Sequence, residues 1–131
     1  MAPSAALRRT WKALAAIDDF ELGSNIFGGD DDPAYWVNAT QVANPDEEHG
    51  LALRLTRKVI SAHRARLKAD ERVDLLRSGG DWIGLTISKP ADTDLALELA
   101  ELAAAAHRPA DGSPCKPPPI GADLARRKRF H

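Results

Sequence analysis

In the segment Leu51-Ala52-Leu53-Arg54-Leu55, leucine recurs at every second position. Side chains alternate across a strand, so the three leucines share one face and Arg54 lies on the other. A strand of this kind belongs to a sheet with one covered and one open face, most simply an antiparallel one. The neighbouring segments supply partners. Ala34-Tyr35-Trp36-Val37 and Thr40-Gln41-Val42-Ala43 are β-prone runs flanking Asn38-Ala39. Asparagine tolerates the positive φ that a two-residue hairpin requires, so a tight hairpin is expected there. Residues 24–28 provide a further short strand, and the glycine, aspartate and proline of 28–33 and 44–50 mark loops. A second hairpin runs from 71–77 to 82–88 through Ser78-Gly79-Gly80-Asp81, with Ile83, Leu85 and Ile87 inward and Trp82 outward.

Three helices complete the pattern. Leu7, Trp11 and Leu14 form a helical stripe over 4–18, with Ser4 placed to cap the free N–H groups. Thr56 can cap a helix over 57–69, whose inward residues are Val59, Ile60, His63 and Leu67. Pro90 and Asp92 open a long helix to about His107, with Leu95, Leu99, Leu102 and Ala106 as its core stripe. The order is α-β-β-β-β-α-β-β-α. The fold class that follows is α+β, an antiparallel sheet of five to six strands with helices packed on one face. Residues 1–107 read as the compact domain and 108–131 as a proline-rich linker and basic tail, since five of the nine prolines fall in 108–120.

A chain of 131 residues fits one domain with a core of its own. A single cysteine, Cys115, excludes an internal disulfide framework and any CxxC zinc or redox site. No apolar run approaches the ~20 residues of a membrane helix, and Met1 to Arg9 lack a signal-like apolar stretch. The expectation is a cytoplasmic protein with no membrane contact. The net charge of −1 conceals segregation. Residues 1–50 carry −6, 51–77 carry +5, 78–107 carry −4 and 108–131 carry +4. Block asymmetry of this kind bears on partners more than the total does.

Chemistry-bearing residues are sparse. Asp30, Asp31 and Asp32 with Asp46, Glu47 and Glu48 match no calcium loop and read as a solvated acidic rim. His49, His63 and His107 lack metal-ligand spacing, and Cys115 and the serines stand in no nucleophile motif. No catalytic residue, metal or cofactor is therefore assigned. Arg57, Arg64 and Lys68 stack at i, i+7 and i+11, and Arg126-Arg127-Lys128-Arg129 is the densest charge cluster. Both suit phosphates, although no aromatic residue interleaves the helical stripe. Leu97, Ala100 and Ala104 form a second apolar stripe on the last helix, to be covered by the tail or by another chain. Trp36, Gln41, Asn44 and Trp82 could line a ligand cleft with stacking and amide groups.

The order of short motifs resembles one family. Phe27-Gly28-Gly29, Tyr35-Trp36-Val37-Asn38-Ala39-Thr40-Gln41, Leu53-Arg54-Leu55-Thr56-Arg57, Gly79-Gly80-Asp81-Trp82-Ile83 and Asp94-Leu95-Ala96-Leu97-Glu98-Leu99-Ala100 follow one another. In that order, residues 11–107 resemble the bacterial and fungal family catalogued as the "luciferase" domain, mostly of unknown function. The strand order is also similar to that of the small MmcQ/YjbR-like α+β domains, some proposed to bind DNA. The resemblance implies a glutamate and a His-x-His-like stretch where this chain has Gln41 and Asn44. Neither amide is an acid or base at neutral pH. The expected function is therefore a binding module. It would act on a protein partner or as a homodimer through the last helix and tail. The alternatives are nucleic-acid binding through the basic residues and small-molecule binding in the aromatic cleft.

Overall fold

A computed structural model describes residues 3–27, 32–75 and 80–119 of the chain. Helix α1 (Ala5–Leu14) starts where Ser4 accepts a hydrogen bond from the Leu7 N–H, the cap expected of that serine. Four strands follow, β1 (Glu21–Ser24), β2 (Pro33–Val37), β3 (Thr40–Asp46) and β4 (Gly50–Arg54). Two short helices, α2 (Arg57–Ala62) and α3 (Arg64–Ala69), lead to β5 (Val73–Asp74) and β6 (Trp82–Thr86). The long helix α4 (Ala91–His107) closes the domain. The strands make one antiparallel sheet in the order β1-β2-β3-β4-β6-β5.

The expected hairpin is present. Asn38 and Ala39 both take positive φ, 51° and 62°, joining β2 to β3 through a two-residue turn. The leucine alternation also behaves as its period requires: Leu51, Leu53 and Leu55 are fully buried. Across the ladder from Leu51 and Leu53, Ala43, Ile83 and Leu85 are buried as well and Pro45 is half-buried. Truncating such a residue to alanine costs about 2–5 kcal/mol, so Leu53 alone supports a large share of a small domain's stability.

Several boundaries differ from the sequence expectation. The first strand is Glu21–Ser24 rather than 24–28. The Asn25 N–H still bonds the facing Asp32 carbonyl, and the backbone leaves the ladder at Ile26, whose N–H bonds the Gln41 side chain instead. Strand β3 runs on through Asn44-Pro45-Asp46, into the loop expected over 44–50. The helix expected over 57–69 breaks at His63, whose φ of −113° and ψ of 15° leave the helical region. On α4 the buried residues are Asp92, Leu95, Ala96, Leu99, Ala100, Ala103 and Ala104. Leu102 is only half-buried and Ala106 is exposed, so the core stripe is rotated toward the alanines. Small residues there let α4 approach α1 and the centre of the sheet closely.

All the helices lie on one side of the sheet. Trp11 of α1 stacks on Tyr35 at 4.3 Å, and the Tyr35 hydroxyl donates to the Trp11 carbonyl. Ile60 of α2 and Leu67 of α3 join the same core as α4, and Arg66 pairs with Glu98 on α4. The turn into α4 is held by Asp92. Its carboxylate, 1 % exposed, accepts from the N–H groups of Ser88 and Lys89 and from the guanidinium of Arg72. No helix among the described residues is long and apolar enough to cross a membrane.

Candidate functional site

The opposite side of the sheet carries the alternate residues. Tyr35 faces α1, so Trp36 faces away, and so does its cross-strand partner Gln41. Leu53 and Ile83 are core, so Arg54 and Trp82, which face each other across β4 and β6, also point away. Asn44 joins them through a bulge. Tyr35 pairs with Ala43 and Trp36 with Gln41, leaving Val42 as the extra residue. Both Val42 and Ala43 turn inward, which places Gln41 and Asn44 on one face although they are three residues apart.

These amides form a chain. Gln41 Nε2 donates to Asn25 Oδ1 at 2.9 Å and to Asn44 Oδ1 at 3.2 Å. Gln41 Oε1 accepts the Ile26 N–H at 2.8 Å, and Asn25 Oδ1 also accepts the Phe27 N–H at 2.9 Å. Trp36 Nε1 donates to the Ser24 carbonyl. The segment leaving β1 is thereby fixed across the open face. It ends on Phe27, a ring 59 % exposed. Phe27 meets the indole of Trp82 edge-on, with centroids 5.9 Å apart. The Arg54 guanidinium lies 6.0 Å from the same indole centroid, within cation–π range. Arg54 also pairs with Asp81 at 3.6 Å, and Asp81 accepts the Arg57 N–H at the start of α2. The Arg57 guanidinium lies against Gly80.

The four residues expected to line a cleft are thus gathered on one face, with unequal access. Trp36 and Gln41 are buried, at 1 % and 3 %, and their polar atoms are engaged. They hold the neighbouring segment and present almost no surface of their own. Asn44 and Trp82 remain half-exposed. Sequence reading missed Phe27 as a surface residue. The signal was its isolation, a large ring between a strand end and Gly28-Gly29, with no alternating partner.

The basic stripe is redistributed. The break at His63 puts Arg57 on α2 and Arg64 and Lys68 on α3, all three exposed. Of the three, Arg57 meets the turn before Trp82, at Gly80 and Asp81. On α4, Ala100 and Ala104 are fully buried within the chain's own core, so they offer no surface to a second chain. Leu97 is half-buried and packs against that core. Arg126, Arg127, Lys128 and Arg129 lie outside the described residues.

The far end of the open face is acidic. Asp46, Glu47 and Asp74 line a cavity of about 400 Å³, with Gly50 and Gly84 among its walls. Among the described residues, no group of three histidine, cysteine, aspartate or glutamate side chains is placed to hold a metal ion. Comparison with known proteins finds no matching family, no matching curated protein and no matching solved structure.

Proposed function

We propose that the chain is a binding module for single-stranded nucleic acid, with Phe27 and Trp82 as its stacking surface. One observation carries the reading. An exposed phenylalanine and a half-exposed tryptophan meet on the open sheet face with a guanidinium over the indole. Every base has a π-face, so exposed aromatics accept unpaired bases whatever the sequence. Arginine beside them supplies phosphate contact or stacks itself. Arg54, which pairs with Asp81, and Arg57, which lies against Gly80, stand at this end of the face, while Asp46, Glu47 and Asp74 line the other. A polyanion would therefore be disfavoured at the end lined by Asp46, Glu47 and Asp74. The basic cluster 126–129 adds charge of the same sign.

The test is fluorescence anisotropy of fluorescein-labelled 15-nucleotide dT and rU strands, with a duplex of equal length as control. The expected result is binding of single strands in preference to duplex, weakening as salt rises from 50 to 200 mM. Absence of binding at 50 mM, or equal duplex affinity, would sink the reading.

A second reading, self-association, draws on one observation. Strand β1 is a sheet edge, and Leu22 on it is 64 % exposed. Exposed edges with apolar side chains favour pairing between copies. Sedimentation of the wild type and Leu22→Lys distinguishes the two: a dimer lost in the variant supports the edge.

A further inference from the structure

Arg54 meets two partners at the aromatic end of the open face. Its guanidinium lies 6.0 Å from the Trp82 indole centroid and 3.6 Å from Asp81 Oδ2. A charge-assisted hydrogen bond would be about 2.8 Å long, so the ion pair is loose. Its side chains are 35 % and 40 % exposed, a setting in which ion pairs contribute little to stability. Asp81 itself is fixed. Its carbonyl accepts the Thr56 N–H at 3.0 Å, and its Oδ1 accepts the Arg57 N–H at 2.9 Å. Two consecutive amides between β4 and α2 are thereby tied to the residue that precedes β6. That junction is strained, because Thr56 takes a φ of 86°, which a β-branched residue rarely adopts. Beside it the Arg57 guanidinium packs over Gly80, where an added Cβ would lie 3.1 Å from Arg57 Nε. The Asp81 carboxylate is therefore anchored to backbone, and Arg54 is the partner that can move.

We propose that Asp81 is a resident counter-ion of the stacking site: a backbone phosphate of the bound strand displaces it from Arg54, and Asp81, acting through Arg54, limits the affinity of the site. The proposal rests on the nucleic-acid reading above. A phosphate beside a base stacked on Trp82 can offer the guanidinium two oxygens in a bidentate contact, where Asp81 offers one loose one. Asp81 cannot withdraw when Arg54 leaves it, because the Thr56 and Arg57 amides hold it in place. Its charge stays beside the arriving phosphate and opposes it. Asp81 is thus a positioning residue, which holds Arg54 near the indole in the free protein and competes for it in the complex.

The test is a double-mutant cycle on the full chain, read by anisotropy of the fluorescein-labelled dT strand. Asp81→Asn removes the charge and keeps an oxygen to accept the Arg57 N–H. It is expected to bind about threefold or more tightly than the wild type, whereas damage to the fold would weaken binding. Arg54→Gln is expected to bind about threefold or more weakly. In that background Asp81→Asn should change affinity by less than about 1.5-fold, because the residue it acts through is gone. Asp81→Ser, whose hydroxyl can also accept that N–H, carries the same expectations and replaces the asparagine variant if urea titration shows the latter unfolded. Tightening of equal size with and without Arg54 overturns the proposal, since Asp81 would then act only as a general charge. No tightening by either Asp81 variant also overturns it. Wild-type binding lost in Phe27→Ala but unaltered by the Asp81 variants leaves the stacking reading intact and removes the counter-ion. No binding by the wild type or any variant removes both.

Discussion

Gln41 Nε2 donates to Asn25 Oδ1 across 16 residues of sequence, at 2.9 Å and in a buried setting. Asn25 Oδ1 also accepts the Phe27 N–H, so its oxygen is committed to facing Gln41. The position therefore requires a donor as well as an acceptor. A carboxylate could hold the Ile26 N–H but would oppose the oxygens of Asn25 and Asn44. We predict that Gln41→Glu lowers stability by about 1–3 kcal/mol, the usual result of leaving buried polar groups unpaired. Urea unfolding checks it, and an unchanged midpoint would mean the amide chain contributes nothing.

Phe27 and Trp82 should separate function from stability. Phe27 is mostly exposed, so Phe27→Ala is expected to change unfolding free energy by no more than about 0.5 kcal/mol. The same substitution should weaken single-strand binding by about 1–3 kcal/mol, the range for one stacked base. Trp82→Ala should lose as much affinity and somewhat more stability, because its ring is half-buried. Paired anisotropy and urea titrations read both effects.

Acid lability should centre on Asp92. Burial alone would raise its carboxyl, but the N–H groups of Ser88 and Lys89 and the Arg72 guanidinium outweigh that and hold it below the usual range. Asp70 is lowered by its hydrogen bonds from Arg72. A lowered folded-state pKa contributes stability that is complete above the unfolded value near 3.8. It disappears as pH falls through the folded value. We predict that Asp92→Asn costs about 2 kcal/mol at pH 7. Its penalty should begin to shrink below pH 3.8, where the carboxyl of the unfolded chain protonates, and should vanish as pH falls through the lower folded value. Thermal unfolding from pH 7 to pH 2 tests this, and a penalty independent of pH would contradict it.

Gly50 is required by sterics. A Cβ there would lie 1.9 Å from the Asp46 carbonyl oxygen, a backbone atom that cannot move without opening the β3–β4 turn. Gly50→Ala is expected to destabilise by more than about 3 kcal/mol, at the high end for single substitutions. Gly112→Ala makes a useful contrast, since nothing lies within 4 Å of that position and only its φ of 77° opposes a side chain. Melting temperatures of the two variants decide the matter.

The parts of the fold legible in the sequence were those set by strict periods and turn chemistry. Leu51–Leu55 and Asn38-Ala39 yield the half-buried strand and the tight hairpin because alternation and positive φ are local properties. What could not be read depended on neighbours distant in sequence. The bulge at Val42 is invisible without its partner strand, yet it alone brings Gln41 and Asn44 to one face. Burial of Ala100 and Ala104 follows from the close approach of α1 to α4, which alanine spacing does not announce. The course of 108–119 was hidden for a related reason. Its prolines signal extended backbone, while Arg108 bonds Asp19, Lys116 bonds Asn38 and Pro118 lies against Gly23, partners about 80 or more residues away.

The chain's three tryptophans allow the central claim to be tested in one spectrum. Trp11 belongs to the helical side, Trp36 is buried with its Nε1 bound to Ser24, and Trp82 is half-exposed beside Phe27. A ¹H–¹⁵N correlation spectrum recorded during titration with an unlabelled 15-nucleotide dT strand resolves their indole signals. The account predicts a progressive shift of the Trp82 signal, with Trp11 and Trp36 nearly stationary. A stationary Trp82 signal, or a larger shift of Trp11, would contradict it.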